Sequence, residues 1–336
     1  KIFPAISQYL KISDKNKALD FSRKFLEKKQ NPKPNIVIIV LESLAFEKTS
    51  MAHFALNPTP FLNKISQESW YFPNCYSPTE ATARGLFTIL TGMPDMSQKD
   101  SSSRNPKLTT QNLLMNQFKD FEKYYFLGGS ASWGNIRSLF TKNIEDINLF
   151  EENRYSSPRV DVWGISDYDL FSEALAIFSK RDQQKPFVAI VQTSGFHRPY
   201  SIPANLPSFQ NIDASKKDLD ESSFESLDEF NAMRLQDYSL EHFIASFSKL
   251  KSFENTIFIM LGDHGLANRN PLLINSGISE YGLFINHTPL LIYSPKLIPA
   301  KVDQRSVSQI DVFATAADLA GIEHNNTTLG KSVVSS

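Results

Sequence analysis

The sequence contains a single cysteine, Cys75, among its 336 residues. This excludes an intrachain disulfide and a zinc site built from several cysteines. Because exported proteins do not need disulfides, the cysteine count leaves the cellular compartment open.

Long apolar segments and an excess of one charge are also missing. The longest apolar run, residues 36–41, is strand-sized and far below the roughly 18–20 residues that cross a bilayer. The formal net charge of −1 lacks the basic excess typical of nucleic-acid binding, so we expect no nucleic-acid partner. What is present is an ordinary globular composition, with 41% hydrophobic residues and 26 phenylalanines for an aromatic core.

Four short apolar runs are typical of buried strands. They are residues 35–41, 187–192, 256–261 and 289–293. Each is apolar on both faces, which favours a parallel strand covered by helices on both sides. Helical patterns lie between them, at residues 60–68, 83–90, 167–179 and 229–250. This alternation predicts an α/β fold, doubly wound, with a mostly parallel central sheet and helices on both faces.

The remaining segments carry weaker local signals. Residues 1–30 have apolar positions at helical spacing, and the breaker-rich residues 28–34 follow them as a linker. The polar residues 204–228 predict a surface loop. Residues 310–322 predict a short amphipathic helix that ends near Gly321.

Acidic and imidazole side chains follow two of the predicted strands directly. Ligands of open α/β sheets bind at the carboxyl ends of the strands, so these positions are candidate sites. Glu42 ends the stretch VLE, and Asp263 and His264 stand between two glycines in LGDHG. Carboxylate oxygen and imidazole nitrogen are metal ligands, which favours a metal site. The alternatives are a solvated strand-end acid for Glu42 and a turn with a capping Asp and a surface His.

Thr82 precedes the predicted helix at residues 83–90. A hydroxyl at a helix N-terminus meets free N–H groups and the positive end of the helix dipole, which suits an anionic phosphoryl group. A bound cation could activate this hydroxyl as a nucleophile. The alternative is an ordinary capping threonine, and Thr79, Thr88 and Thr91 compete as candidates.

His197 follows the second strand in the stretch QTSGFHRPY. Its loop is expected at the same sheet edge, where the ring could bind a phosphate oxygen or protonate a leaving group. The alternative is an exposed loop histidine without a function.

Three stretches, in this order, resemble a known superfamily. They are PNIVIIVLES at residues 34–43, LGDHG at residues 261–265 and SQIDVFATAADLAGI at residues 308–322. Together they are similar to the alkaline-phosphatase/sulfatase superfamily, and most closely to its lipoteichoic acid synthase branch. The resemblance implies an alkaline-phosphatase/sulfatase-like fold with a small C-terminal subregion.

The resemblance also implies a set of site residues. Glu42, Asp263 and His264 would bind one divalent ion, with manganese preferred and zinc or magnesium possible. Thr82 would be both the nucleophile and the fourth ligand. His197 would contact the substrate.

The substrate-binding stretch departs from the family pattern. The synthases hold glycerol phosphate partly with Trp-x-Arg, whereas this chain has Trp133 and then Arg137 four residues later. We expect Trp133 and Arg137 to contact the substrate, with Arg137 reaching the anion. The mismatch leaves the transferred head group open.

The sequence also discriminates among relatives within the superfamily. Cys75 is followed by Tyr-Ser-Pro, which lacks the Cys-x-Pro-x-Arg spacing of sulfatases. No histidine follows an aspartate by four residues, so the second metal pair of two-metal phosphatases is missing. Phosphoethanolamine transferases share the ligand set but usually carry several disulfides. This favours phosphoglycerol transfer, with a phosphoethanolamine transferase, a water-using phosphodiesterase and a non-catalytic envelope protein as alternatives.

The resemblance predicts a phospholipid donor, a glycan or glycolipid acceptor and a phosphothreonine intermediate. A lipid donor implies that the domain is held at the cell membrane, on the extracytoplasmic side. Residues 1–33 would then be a helical linker from a missing membrane segment, and residues 34–336 the catalytic domain.

Overall fold

The computed structural model describes residues 2–12, 21–28, 30–52, 56–97, 99–107, 110–204, 206–267 and 280–335. The helices in these ranges are α1 Ile2–Leu10, α2 Pro60–Ser66, α3 Thr82–Thr91, α4 Ile136–Asn143, α5 Asp167–Lys180, α6 Lys216–Glu221, α7 Leu227–Phe247 and α8 Val312–Leu319. The strands are β1 Arg23–Phe25, β2 Asn35–Leu41, β3 Trp70–Tyr76, β4 Glu122–Leu127, β5 Ile147–Phe150, β6 Phe187–Gln192, β7 Thr256–Gly262, β8 His287–Tyr293, β9 Lys301–Val302, β10 Val307–Ser308 and β11 His324–Asn326.

Within the described ranges, one large sheet has the strand order β10-β3-β8-β7-β2-β6-β4-β5, and β9 pairs with β3 beside this path. The central strand β2 pairs in parallel with β7 on one side and β6 on the other. The order β6-β4-β5 continues in parallel. The predicted doubly wound, mostly parallel sheet is confirmed.

The fourth predicted strand, β8, runs antiparallel to both of its neighbours, β7 and β3. The pairing of Leu261 with Leu290 shows why, because β8 begins at the edge where β7 ends. A chain that re-enters at the same edge must run in the opposite direction. The apolar pattern therefore predicted the burial of this strand, whereas its expected parallel direction is wrong.

The two faces of β2 face two separate apolar layers. Ile36, Ile38 and Val40 pack on one face with residues of α3, α4 and α8. Val37 and Ile39 pack on the other with residues of α2, α5 and α7. This arrangement explains why the strand is apolar at every position, since both of its faces are shielded from water.

The predicted helices at residues 60–68, 83–90, 167–179 and 229–250 are confirmed as α2, α3, α5 and α7. The predicted loop at residues 204–228 is wrong in two parts, because Lys216–Glu221 forms α6 and residues 227–228 begin α7. Ser215 caps α6 by accepting a 3.1 Å hydrogen bond from the backbone N–H of Asp218, and Leu219 is buried beneath it. One cap and one buried leucine sufficed where the composition indicated a loop.

The helix predicted for residues 1–30 is confirmed for α1 and is wrong for Arg23–Phe25, which forms β1. Residues 1, 13–20 and 29 of this prediction lie outside the described residues. Strand β1 pairs antiparallel with β11, and Phe25 stacks on His324 with ring centroids 4.6 Å apart. This two-stranded sheet forms the small C-terminal subregion that we expected. Tertiary pairing with the C-terminal segment thus overrides the local helical pattern.

The use of residues 1–33 as a linker from a membrane segment stays a prediction. Of the helices in the described ranges, none combines the length and the apolar character that crossing a bilayer requires.

Candidate metal centre and substrate cavity

Glu42, Asp263 and His264 lie at one edge of the sheet because β2 and β7 are neighbouring parallel strands. The last paired residues of these strands are Leu41 and Gly262, and the site residues follow them directly. Glu42 is 4% exposed and Asp263 is fully buried. The expectation that these strand ends meet is confirmed, and Thr82 joins them as the first residue of α3.

Four side chains converge at this edge. The Thr82 hydroxyl lies 3.1 Å from Oε2 of Glu42 and 3.4 Å from Nε2 of His264. Nε2 of His264 lies 3.7 Å from Oε1 of Glu42 and 3.6 Å from Oδ2 of Asp263. Ligand atoms of Glu42, Asp263 and His264 all lie within 4.8 Å of one another, which is a spacing that one metal ion can bridge.

The two buried carboxylates, Glu42 and Asp263, repel each other, as is typical of carboxylates that bind a cation. Burial, followed by the charge of Asp263, raises the pKa of Glu42 well above its ordinary value. Oδ1 of Asp263 accepts hydrogen bonds from the backbone N–H groups of Ser43 and His264 at 2.7 and 2.8 Å. Oδ2 of Asp263 is buried and has no hydrogen-bond partner. A divalent cation would compensate this oxygen and both charges, so the donor set fits a metal ion.

The backbone selects the tautomer of His264. Its Nδ1 lies 2.7 Å from the carbonyl oxygen of Gly265, which can only accept a hydrogen bond. Nδ1 therefore carries the proton, and Nε2 keeps its lone pair on the side of Thr82 and the two carboxylates. This is the state in which histidine binds a metal through Nε2.

Two positive backbone φ angles and one glycine shape the site. Ser43 and Ala81, which stand beside Glu42 and Thr82, have φ values of 54° and 76°. Such angles in non-glycine residues cost of order 1–3 kcal/mol and occur frequently at functional sites. A Cβ atom on Gly85 would lie 2.3 Å from the carbonyl oxygen of Asp263, so only glycine allows α3 to approach the Asp263 turn this closely.

Two glutamine side chains donate hydrogen bonds to the backbone at the ends of β2 and β7. The sequence analysis identified neither of them. The amide of Gln236 on α7 donates a 3.1 Å hydrogen bond to the carbonyl oxygen of Glu42. The amide of Gln309 donates to the carbonyl oxygens of Gly262 and Asp263 at 2.8 and 2.6 Å. Gln309 stands in the stretch SQIDVFATAADLAGI, so this motif carried a signal for it, whereas Gln236 had none.

The competing threonines do not join the cluster. The Thr88 hydroxyl accepts a hydrogen bond from the backbone N–H of Asp95 at 3.3 Å, and the Thr91 hydroxyl donates to the carbonyl oxygen of Phe87 at 2.8 Å. The Thr79 hydroxyl is buried without a hydrogen-bond partner. The structure therefore singles out Thr82 among the four candidates.

A cavity of about 570 Å³ opens over this cluster. Its wall includes all of the metal-ligand candidates except Asp263, together with Trp133 and His197. Arg198 and Glu225 form an ion pair at the same wall. The predicted contacts of Trp133 and His197 with a substrate are therefore possible in this geometry.

A narrower pocket of about 110 Å³ adjoins Glu42 and Thr82. Trp133, Trp163 and His197 all line it, and the rings of Trp163 and His197 touch at a tilt of 41°, with centroids 3.7 Å apart. Sequence reasoning did not single out Trp163. Its neighbours in the chain gave no signal, because its role depends on a loop more than 30 residues away.

Arg137 forms an ion pair with Glu151. Its guanidinium forms three hydrogen bonds with the carboxylate of Glu151, at 2.7 to 3.1 Å. Arg137 is not among the described residues that line either cavity. Glu151 thus binds the Nε and Nη2 side of the guanidinium, and a contact of Arg137 with the substrate anion stays a prediction.

The cysteine of the sequence also lies away from the cluster. Cys75 is a fully buried residue of β3, and its sulfur accepts a long 3.9 Å hydrogen bond from the hydroxyl of Thr288. This position agrees with the missing sulfatase spacing around Cys75 and leaves Thr82 as the nucleophile candidate.

The comparisons with solved structures confirm the predicted fold. An alkaline phosphatase superfamily protein from Vibrio parahaemolyticus matches with a TM-score of 0.82 and 26% identity, over 99% of this chain and 78% of that one. The lipoteichoic acid synthase LtaP from Listeria monocytogenes matches with a TM-score of 0.78 and 16% identity, over 99% and 81%. The periplasmic domain of EcEptC from Escherichia coli, in complex with Zn, matches with a TM-score of 0.60 and 16% identity, over 93% and 89%.

The sequence comparisons confirm the resemblance to the lipoteichoic acid synthase branch. The lipoteichoic acid synthase of Staphylococcus saprophyticus is 24% identical over 327 residues, which cover 88% of this chain and 46% of the relative. The chain thus spans about half the length of the curated relatives it matches. A model of the sulfatase family matches residues 34–322. With a match over most of its length, and with the metal-ligand cluster inside the matched region, the chain belongs to the sulfatase family.

Proposed function

We propose that this chain is the catalytic domain of a metal-dependent transferase that moves a phosphoglycerol-type head group from a phospholipid to a glycan or glycolipid. The observation that carries the proposal is the position of the Thr82 hydroxyl. It lies 3.1 Å from the Glu42 carboxylate and 3.4 Å from Nε2 of His264, at the N-terminus of α3. A nucleophile here faces an anionic phosphoryl group with the helix dipole behind it.

Glu42, Thr82, Asp263 and His264 would hold one divalent ion, for which we propose manganese. Three oxygen donors and one imidazole nitrogen suit manganese, and they also accept zinc or magnesium. When bound, the ion lowers the pKa of the Thr82 hydroxyl and neutralises charge on the phosphoryl oxygens.

In the first step, Oγ1 of Thr82 forms a bond to the phosphorus of the donor lipid, and the bond from phosphorus to the diacylglycerol oxygen breaks. The Thr82 proton is released to water, and the departing oxygen takes up a separate proton, so diacylglycerol leaves as an alcohol. We assign the delivery of that proton to His197, which lines the cavity. The product is a phosphothreonine diester.

In the second step, a hydroxyl of the acceptor attacks the same phosphorus. The acceptor loses its proton to His197, and Thr82 leaves and recovers a proton. Two displacements at one phosphorus replace one difficult transfer by two easier ones.

The partners follow from the proposed donor. A phospholipid head group lies at a membrane surface, so we propose that the full-length protein holds this domain at the extracytoplasmic face of the cell membrane. The names of the curated relatives, lipoteichoic acid synthases, support this assignment.

The test is to incubate the chain with MnCl2 and phosphatidylglycerol vesicles and to measure the intact mass and the modified peptide. We expect a glycerol phosphate adduct on Thr82. The adduct should be absent from Thr82→Ala and present in Thr88→Ala, a threonine of the same helix outside the cluster. A wild-type yield of adduct in Thr82→Ala would refute the assignment of the nucleophile.

The same measurement separates the alternatives. Vesicles of phosphatidylethanolamine would give an adduct of a different mass if the protein is a phosphoethanolamine transferase. Release of free glycerol phosphate at an undiminished rate without any acceptor would indicate a phosphodiesterase that uses water. Failure to bind manganese, zinc or magnesium in a titration would favour a non-catalytic protein.

A further inference from the structure

The loop after β6 is held by a segment that the proposed reaction does not otherwise use. We call this segment, residues 161–167, the latch. Oδ1 of Asp167 accepts hydrogen bonds from the backbone N–H groups of Ser194 and Gly195, at 3.0 and 2.9 Å. The hydroxyl of Ser194 donates to the carbonyl oxygen of Trp163 at 3.2 Å. The latch thus binds the loop that carries His197 at several points.

The latch also packs tightly against the loop at Gly128 and Gly129, which follows β4. A Cβ atom on Gly129 would lie 2.4 Å from the carbonyl oxygen of Trp163. A Cβ atom on Gly164 would lie 2.0 Å from the carbonyl oxygen of Gly128. Gly164 also has a φ of 117°, which residues with a side chain rarely adopt. Because these are backbone contacts, neither partner can move aside easily. The position of Trp163 is therefore fixed on both sides.

Trp163 contacts His197 in two ways. The two rings are in contact, with centroids 3.7 Å apart and an angle of 41° between their planes. The indole N–H of Trp163 donates a 2.7 Å hydrogen bond to the carbonyl oxygen of Arg198, and Nδ1 of His197 lies 3.1 Å from the same oxygen. A carbonyl oxygen has two lone pairs and only accepts hydrogen bonds, so both nitrogens must donate to it. Nδ1 of His197 therefore carries the proton in the neutral ring, and Nε2 is left for the substrate.

We propose that Trp163 is a positioning residue for His197, which fixes the orientation and the Nδ1–H tautomer of the ring that serves the transferred group. The inference rests on the proposed function, in which His197 exchanges a proton with the departing and attacking oxygens. The tilted ring contact restricts the orientation of the imidazole. The hydrogen bond from Trp163 to the carbonyl oxygen of Arg198 holds the peptide that sets the tautomer. The arrangement matches His264, whose Nδ1 is held by the carbonyl oxygen of Gly265.

The first experiment measures the release of diacylglycerol from phosphatidylglycerol vesicles by the full chain with MnCl2, because the diacylglycerol oxygen needs a proton to leave. Trp163→Leu removes the ring contact and the N–H donor, and we expect roughly a 10- to 100-fold lower kcat, as for a catalytic group displaced by about an ångström. Trp163→Phe keeps an aromatic ring and should recover part of that loss. The double variant Trp163→Leu/His197→Ala should be no slower than His197→Ala alone, because Trp163 acts through His197. Independent, additive losses would overturn the proposal.

The second experiment reads the ring directly and needs no turnover. Nitrogen chemical shifts of ¹⁵N-labelled histidine report which ring nitrogen of neutral His197 carries the proton. We expect Nδ1–H in the wild-type protein and a mixture of both tautomers in Trp163→Leu. An unchanged Nδ1–H state in Trp163→Leu would refute the positioning role even if the protein has another substrate, so this outcome is distinct from a failure of the proposed function.

Trp70→Phe is the matched control for both measurements. Trp70 lies on β3, and its indole N–H donates a 3.0 Å hydrogen bond to the carboxylate of Asp303. The variant therefore loses a comparable hydrogen bond away from His197. We expect wild-type kcat and an unchanged His197 tautomer in it, with thermal unfolding confirming that all variants are folded. If Trp70→Phe lost activity to the same degree as Trp163→Leu, the effect would be general and the proposal would fail.

Discussion

The carbonyl oxygen of Asp263 lies 2.3 Å from the point where a Cβ atom on Gly85 would stand. The helix that presents Thr82 therefore touches the turn that presents Asp263, backbone against backbone. This contact sets the distance between the nucleophile and the metal ligands. The position of Thr82 is a property of helix packing as much as of its own side chain.

Replacing Gly85 by alanine should displace α3 from the Asp263 turn and separate Thr82 from its partners. Because a backbone atom cannot rotate away, we expect up to about a 100-fold loss of Thr82 adduct formation, as for a displacement of about 1 Å. Intact mass after incubation with phosphatidylglycerol measures it. Gly282→Ala is the control, since nothing lies within 4 Å of its Cβ position. Its φ of 63° should cost about 1 kcal/mol of stability and leave the adduct intact. Equal adduct yields in both variants would contradict the packing argument.

Replacing Asp263 by asparagine should have opposite effects with and without metal. In the absence of metal, the substitution removes the repulsion between two buried carboxylates, so the melting temperature in EDTA should rise. In the presence of MnCl2, the wild-type protein should gain about 2.7 kcal/mol at a hundredfold excess over Kd, and Asp263→Asn should gain much less. Thermal unfolding in both buffers gives the comparison. If manganese, zinc and magnesium all left the melting temperature of the wild-type protein unchanged, the metal site would be contradicted.

Asp237 should make stability fall as the pH rises. Burial raises its pKa to about 7, although it accepts hydrogen bonds from the backbone N–H groups of Phe61 and Leu62. Between pH 4 and 7 the unfolded chain ionises this carboxyl while the folded protein keeps it protonated. The free energy of unfolding should therefore fall by up to about 1.4 kcal/mol per pH unit in this window and level off above it.

Asp237→Asn isolates this contribution. The variant loses one acceptor at the start of α2, which gives an offset that does not depend on pH. The difference between the two proteins should change with pH, in favour of the variant, as the pH rises from 4 to 7. Urea unfolding at four pH values measures the slope, and parallel stability curves would show that Asp237 titrates normally.

Cys75 should not react with thiol reagents while the protein is folded. Burial raises the pKa of its thiol to about 12, and only the thiolate is a nucleophile. We expect labelling by 5,5′-dithiobis(2-nitrobenzoic acid) to follow the urea unfolding transition. Rapid labelling of the native protein would show that β3 opens locally.

Local sequence predicted those parts of the site that depend on a strand end or a helix start. Glu42 and the pair Asp263 and His264 follow apolar runs directly, and parallel strands bring such ends to one edge. The stretch before residues 83–90 placed Thr82 at a helix start. These predictions hold because periodicity records burial, and burial fixes where a strand or helix ends.

Other features were decided only by tertiary structure. The direction of β8 depends on which edge the chain re-enters, and the pairing of Arg23–Phe25 depends on a partner at the C-terminus. Arg137 does not line the cavity but forms an ion pair with Glu151, because the fold places that carboxylate beside its guanidinium. Trp163 reaches His197 across two loops that no local pattern connects. The sequence by itself determined which residues are buried and where elements end, whereas the choice of through-space partners required the packed fold.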